Sequence, residues 1–301
     1  MTTADARPQF RPNRVPGLAM LLCALLAAFA LMAPQADAAK KQRIVAVSPF
    51  AAQTMVQLGV KPIRVGQTIG TTPRQRQMFR GIGQLTLTHP NGPNLEVMAK
   101  LKPKLVFTSN QWKAGFSALR QLGIKVVVAD PTSPNGVYKN VLKIGRYIGR
   151  TKQARKLNTR IRKQVRSATK GISGTRDKVL VVLGIGRTAM AFLGNSWGGQ
   201  LIKMSGGQLV TGGATNSGGF ARISDEVVVA ENPDRIIVVP HGTSQDIDEV
   251  KGYILNNDAW KTTTAWKNGD VDVSVDNRLL QAGTDLGATI KYIRAKYLEN
   301  R

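Results

Sequence analysis

Three arrangements in this chain hold residue types that could do chemistry. Gly194-Asn195-Ser196-Trp197-Gly198 fits G-x-S-x-G, the turn that presents a nucleophilic hydroxyl in serine hydrolases, and Asp234 and His241 follow in the matching chain order. Asp234, however, opens an apolar run whose far end carries His241. As a strand that run would hold the two about 20 Å apart at ~3.3 Å per residue. No HGGG-type oxyanion segment is present, and Asn195 and Ser196 read equally well as caps of a following helix. Gly184-Ile185-Gly186 with Ala189 fits G-x-G-x-x-A after a strand. That chemistry needs a helix N-terminus at the glycines and an acid about 20 residues on for the ribose. Here Ala189-Met190-Ala191-Phe192-Leu193 reads as another strand, and the next acidic residue is Asp225.

His89 and His241 are the only histidines, too few for a multi-histidine metal cage. Either could be an axial ligand to haem, as could Tyr138 or Tyr253, and each histidine reads equally as a surface or loop residue. The mature chain holds no cysteine, because Cys23 lies inside an N-terminal apolar run. Disulfides and thiolate metal sites are therefore not expected.

Two acids stand out by position. Glu96 and Glu226 each sit seven residues before a proline, Pro103 and Pro233, and each proline leads into an apolar run, Leu105-Val106-Phe107 and Ile236-Ile237-Val238. A short helix opened by Asn94 or Ser224, halted near the proline and passed into a buried strand, accounts for the spacing. A unit repeated 130 residues on implies two lobes of similar build with a cleft between them.

The elements that must position these residues alternate. Ile44–Val47 reads as a strand, Phe50–Leu58 as a helix and Ile63–Gly66 as a strand, followed by a basic loop with Arg74, Arg76 and Arg80. After the Glu96 helix and its strand come a helix over Trp112–Leu122 and a strand over Lys125–Ala129. Val137, Val141, Ile144 and Ile148 then keep helical spacing, and Thr151 is placed to cap a helix carrying Leu157, Ile161, Val165 and Ala168 on one face. At roughly 20 residues it would span about 30 Å, long enough to bridge two lobes. The second half adds strands at Lys178–Leu183 and Ala189–Leu193, a helix at Gly198–Ser205 and a glycine-rich loop at Gly212–Gly219. Helical stretches at Lys251–Trp266 and Thr284–Tyr297 flank a strand at Val271–Val275. The expected class is α/β, with two lobes of mainly parallel sheet joined by one long helix. Expected boundaries are a signal peptide at 1–38, an N-terminal lobe at 39–135, linking helices at 136–174 and a C-terminal lobe at 175–301.

Arg7, Arg11 and Arg14, the apolar run Leu18–Met32 and Ala36-Asp37-Ala38 form a secretory signal with cleavage expected after Ala38. The residues before Cys23 do not make a lipoprotein acceptor. Lys and Arg number 43 against 18 Asp and Glu, a net charge of +25. Such a field draws anions: nucleic acid, an anionic cell surface or an acidic small ligand. Export and the lack of a recognised binding motif speak against nucleic acid. Lys139 to Lys170 holds twelve of the basic residues and no acid, which a solvated helix face also explains.

Ile44-Val45-Ala46-Val47-Ser48-Pro49, the paired Glu…Pro-strand units and the long helix between them resemble one family. It is the ferric-siderophore, haem and vitamin B12 substrate-binding proteins of ABC importers, the class with a helical backbone. The resemblance implies a ligand held between the lobes with small hinge motion, and one acidic residue on top of each lobe docked on a membrane permease, here Glu96 and Glu226. It also implies ligand contacts from loops at the carboxyl ends of strands. Those loops hold Phe50, Arg74, Arg76, Trp112, Arg187, Trp197, Phe220, Arg222 and Arg278. Arginine offers planar donors to carboxylate or catecholate oxygens, and aromatics supply walls for a bulky ligand. That mixture ranks a ferric-siderophore first, haem next and cobalamin last, although the region near Asn277 lacks a tryptophan often found in relatives. The expectation is a monomeric, exported binding protein that is not an enzyme and has no metal site of its own. The alternatives are a secreted serine hydrolase using Ser196 and a basic envelope protein that binds polyanions.

Overall fold

The computed structural model describes residues 42–67, 70–172, 176–185, 187–215, 218–241, 244–274 and 276–299. The expected signal peptide, with Cys23, lies outside the described residues, as does Gly186.

The N-terminal sheet is built from β1 (Ile44–Ala46), β2 (Arg64–Gly66), β3 (Gly83–Leu85), β6 (Leu105–Thr108) and β7 (Lys125–Val128), all parallel in the order β3-β2-β1-β6-β7. The central strand, Ile44-Val45-Ala46, is fully buried, as expected where helices cover both faces of a parallel sheet. A small hairpin, β4 (Leu87–Thr88) with β5 (Gly92–Pro93), stands apart from the sheet. The helices of this half are α1 (Pro49–Gln57), α2 (Pro73–Met78), α3 (Leu95–Leu101) and α4 (Phe116–Gln121). A 3-10 segment over Asn110–Gly115 precedes α4, so the single helix expected from Trp112 is divided. Arg74 and Arg76 lie on α2 and not in a loop. Thr72 and Gln75 form a reciprocal capping box there, with Pro73 at the first helical position.

Two helices lead to the second half, α5 (Gly136–Tyr147) and α6 (Thr151–Thr169). Thr151 is the first residue inside α6 and makes no capping hydrogen bond, contrary to the expected role. Glycines let α6 pack tightly on both sides. A Cβ on Gly145 of α5 would lie 2.4 Å from Ala154, and one on Gly287 would lie 2.7 Å from the backbone of Gln164. Asn158 adds a 2.8 Å hydrogen bond from its amide to the carbonyl of Tyr138.

The second sheet centres on β8 (Lys178–Ile185), flanked by β12 (Arg235–Pro240) and then β13 (Val271–Val273), all parallel. On the other edge of β8 two strands share the length. Parallel β10 (Gln208–Val210) lies along its start, and antiparallel β9 (Thr188–Phe192) lies along its end and carries β11 (Phe220–Arg222). This sheet is thus mainly parallel, as expected, with β9 and β11 adding antiparallel pairings at one edge. Gly184 lies within β8 and pairs with Ala189 of antiparallel β9, so Gly184 opens no helix of the kind that G-x-G-x-x-A requires. Helices α7 (Trp197–Ser205), α8 (Asp225–Glu231), α9 (Ser244–Leu255), α10 (Thr264–Lys267) and α11 (Leu286–Ile293) complete the fold. The stretch expected as one helix over Lys251–Trp266 breaks at a 3-10 turn, Trp260–Thr262. The closing helix widens into a π-helical turn at Arg294–Leu298.

One apolar core runs through both halves by way of α6, joining Phe50 and Phe107 to Leu157, Ile161, Val181 and Ile290. Polar bonds also tie the halves. The fully buried Gln53 accepts from the Thr284 backbone N–H (3.0 Å) and donates to Asp285 (3.3 Å), and Asn277 N–H donates to Gly70 (2.8 Å). Gly70, at φ +72°, has no room for a Cβ beside Asn277.

Candidate functional site

The carboxyl ends of β1, β6 and β12, with the β4–β5 and β8–β9 turns, carry the side chains that bear on binding. In open α/β sheets this is where ligands sit. On the N-terminal side, Gly115 lies so close to the carbonyl of Asn91 that a Cβ would meet it at 2.0 Å, and Gly92 packs under Trp112. These contacts clamp the hairpin against the 3-10 segment. His89 thereby meets the half-buried Trp112 edge to face, with ring centroids 5.9 Å apart.

On the C-terminal side, β12 delivers His241, whose N–H donates to the carbonyl of Gly184 at 2.9 Å. The adjoining β8–β9 hairpin exposes Ile185 (43 % exposed), and Arg187 lies over the Tyr253 ring at 5.7 Å. Partial burial, and then the charge of His89, hold the His241 imidazole below its ordinary pKa. The only two histidines of the chain thus stand one in each half, His89 on the β4–β5 turn and His241 at the end of β12. Neither spacing nor periodicity pairs residues 152 positions apart; only their shared place at strand and hairpin ends hints at it.

The remaining expected contacts divide. Phe50 is fully buried between the first sheet and α5, so its ring packs the core and cannot touch a ligand in the cleft. Trp197 is 6 % exposed, and its indole N–H donates to the carbonyl of Arg278 at 2.9 Å. Arg278 is itself committed to Asp276 (Nε to Oδ1, 2.8 Å) and stacks on Tyr292 with 3.6 Å from guanidinium carbon to ring centroid. Trp197 and Arg278 meet Thr72, Gln75 and Asp285 around a small cavity at the junction of the lobes. Phe220 packs against Phe192 at 4.8 Å and is only half-buried. Arg74, Arg76, Arg187 and Arg222 are exposed; Arg76 spends one donor on the carbonyl of Thr71.

Ser196 is no exposed nucleophile. At 5 % exposure its hydroxyl accepts from Gly199 N–H (3.0 Å) and donates to the carbonyl of Leu193 (2.7 Å), capping α7. Asp234 accepts from the Lys178 N–H at the opposite end of β12 from His241. Among the described residues no group of three or more His, Cys, Asp or Glu side chains could hold a metal ion, and no helix is long and apolar enough to cross a membrane.

The acidic pair is matched in detail. Asn94 accepts from Val97 N–H (3.0 Å) and Ser224 from Val227 N–H (3.5 Å), opening α3 and α8, each of seven residues. Glu96 and Glu226 are exposed in the first turns, and exposed Leu95, Val97 and Val229 share those helices. The Ser224 hydroxyl and a backbone N–H hold the Glu226 carboxyl below its ordinary range, so it is charged at neutral pH.

Two α/β lobes about a cleft, tied by one tightly packed helix and presenting aromatic, basic and imidazole groups, define a ligand-binding protein. The chain belongs to the periplasmic binding protein family, whose sequence signature matches residues 44–274. It is 30% identical over 251 residues to a cobalamin-binding protein of Halobacterium salinarum, which covers 80% of this chain; the chain spans 65% of the length of that relative. It is 27% identical over 233 residues to the high-affinity heme uptake system protein IsdE of Staphylococcus aureus, covering 76% of this chain and 77% of IsdE. The crystal structure of IsdE complexed with heme matches at a TM-score of 0.72 and 23% identity, over 85% of this chain and 99% of IsdE. An ABC transporter substrate-binding protein from Listeria monocytogenes EGD-e matches at a TM-score of 0.72 and 21% identity, over 87% and 100% of the two chains.

Proposed function

We propose that this protein captures a metallo-macrocycle, haem first and a corrinoid second, outside the cytoplasmic membrane and delivers it to an ABC permease. The observation that carries the reading is the placement of the two histidines, His89 on the β4–β5 turn of one half and His241 at the carboxyl end of β12 in the other. An imidazole binds a metal through a neutral nitrogen, and the depressed pKa of His241 favours that form at neutral pH. Haem iron and corrinoid cobalt have axial positions for such a ligand. A hexadentate ferric-siderophore fills its iron shell with oxygen donors and leaves none, so it drops from first place to third. Trp112 gives a flat ring a wall, and Arg187 sits where a peripheral carboxylate could meet it. The relatives described as cobalamin-binding and as part of heme uptake support the same ligand class.

Titration with ferric haem and with aquocobalamin, followed by absorbance, tests this. Ferric haem should give a low-spin spectrum, and His89→Ala or His241→Ala should each weaken binding about tenfold or more, a loss of ~1.4 kcal/mol or greater. Saturable binding of a ferric-siderophore with no spectral response to haem or cobalamin would overturn the reading. Glu96 and Glu226, two fixed carboxylates on a strongly basic protein, act as an electrostatic register for the permease. Reversing both to Lys should abolish uptake and leave ligand affinity unchanged.

A further inference from the structure

The largest concentration of charge lies far in sequence from both histidines, on α6. Between Asp130 and Asp177 the sequence contains no acidic residue, so the helix has no carboxylate partner at i±3 or i±4. Ala154, Leu157, Ile161 and Ala168 turn into the core. On the opposite side Lys152, Arg155, Lys156, Lys163 and Arg166 are all exposed. At 3.6 residues per turn these five fall within roughly 100° of arc, along about 20 Å of axis. Arg162, at the margin, is drawn aside onto the Tyr138 ring at 4.6 Å. None of the large exposed apolar side chains among the described residues belongs to this helix.

We propose that this face of α6 docks the protein on an anionic phospholipid bilayer. The face is the exposed side of a single helix, with its cations directed along one tangent. Such a shape presents charge to a plane, whereas a single polyanion strand is ordinarily held in a groove lined by stacking partners. Because the apolar side of the helix is already covered by the core, contact is by headgroup attraction without insertion, unlike an amphipathic helix lying in the interface. Adsorption would confine the protein to a layer at the bilayer and raise its encounters with any membrane-embedded partner. The proposal does not depend on which ligand the cleft takes.

Co-sedimentation of the protein with phosphatidylglycerol–phosphatidylcholine vesicles, and with phosphatidylcholine alone, tests it at low and high salt. Binding is expected only to the mixed vesicles and should fall steeply with salt. A variant with Lys152, Arg155, Lys156, Lys163 and Arg166 all changed to Gln should bind about tenfold or more weakly. A control removing the same charge from the exposed Lys61, Lys100, Lys104, Lys113 and Arg120 should bind nearly as the parent does. Thermal unfolding by circular dichroism confirms that both variants fold, and the salt series on the unaltered protein stands independently of them. Equal losses in the two variants would show that only overall charge matters and would overturn the proposal. Binding to heparin with none to the mixed vesicles would overturn it too, assigning the face to a linear polyanion.

Discussion

Lys102 and Asn232 adopt the same left-handed backbone conformation, φ 43° in each, 130 positions apart, and they are the only described non-glycine residues at positive φ. Each ends a seven-residue helix and is followed by a proline that opens the approach to a buried strand. The repeat therefore extends from the N-cap through the acid to the C-cap, and its two stops are made from different side chains.

That difference gives opposite signs to one substitution. A left-handed conformation costs an L-residue such as lysine roughly 1–2 kcal/mol, so Lys102→Gly should raise stability by about 0.5–1 kcal/mol after the added freedom of the unfolded chain is counted. Asparagine tolerates this region better, and Asn232 Oδ1 accepts from the Thr264 N–H at 2.8 Å. Asn232→Gly should therefore cost about 1 kcal/mol. Urea unfolding of the two variants compares them directly.

The repeat also pairs Leu105 with Arg235 at the head of β6 and β12. Arg235 is 3 % exposed and bonds to Asp270 at 3.0 Å, yet its Nε and Nη2 have no partner among the described residues. Asp270 and Asp272 keep contact with water, and Asp272 retains Lys296 at 3.7 Å. Arg235→Leu, which copies the first lobe, should change stability by less than about 1 kcal/mol or raise it, because burying the guanidinium offsets much of the ion pair. Arg235→Ala should cost ~2–4 kcal/mol through the cavity it leaves. Denaturant midpoints of the two variants separate charge from volume.

Burial pushes the Asp130 carboxyl up to about 6, against the smaller opposing effect of the Ser48 hydroxyl donating to it at 2.7 Å. Its unfolded value is near 3.8. Between those values the native state holds the proton that the unfolded state has released, so stability falls as pH rises from about 4 to about 6 and stays low above. Asp130→Asn keeps an acceptor for Ser48 and removes the charge. It should stabilise the protein by about 1–3 kcal/mol at pH 8 and by almost nothing at pH 4. Unfolding measured across that range should show the two curves converging at the acid end.

Trp112 and Trp197 should answer to different assays. Trp112→Ala removes a half-exposed ring beside His89 and should weaken macrocycle binding by about tenfold, beyond any stability lost with its packing on Gly92. Trp197→Phe leaves the Arg278 carbonyl without its donor and should cost ~1–2 kcal/mol in unfolding while affinity stays unchanged. Similar losses of affinity in both variants would place Trp197 against the ligand after all.

Much of the architecture was readable because it depends on local rules. The β1 and β8 runs are continuous apolar stretches, and Val137, Val141 and Ile144 keep helical period into the core. Ser48 before Pro49 marks the start of α1, and Thr72-Pro73-Arg74-Gln75 was an equally legible capping box for α2. The site was less readable. Phe50 and Trp197 both follow a capping serine, a place that reads as a loop end, but the helices they begin are covered on nearly every side and draw those rings inward. His89 and His241 carry no periodic signal, since a hairpin tip and a strand end are joined only by the closure of two lobes. Exposure of the arginines was foreseeable, whereas the engagement of Arg278 by Asp276 and Tyr292 depends on a turn and a helix meeting in space.

The two glycine contacts on α6 bear on how fast the ligand leaves. Gly145 admits the Ala154 side chain and Gly287 the Gln164 backbone into close contact, leaving the helix little slack in which to bend, and Gln53 pins the junction beneath the cleft. Such packing should restrict how far the lobes swing apart, and release of a bound ligand should then depend on the side chains at the mouth. Residence time should accordingly respond to the bulk of residues at the rim.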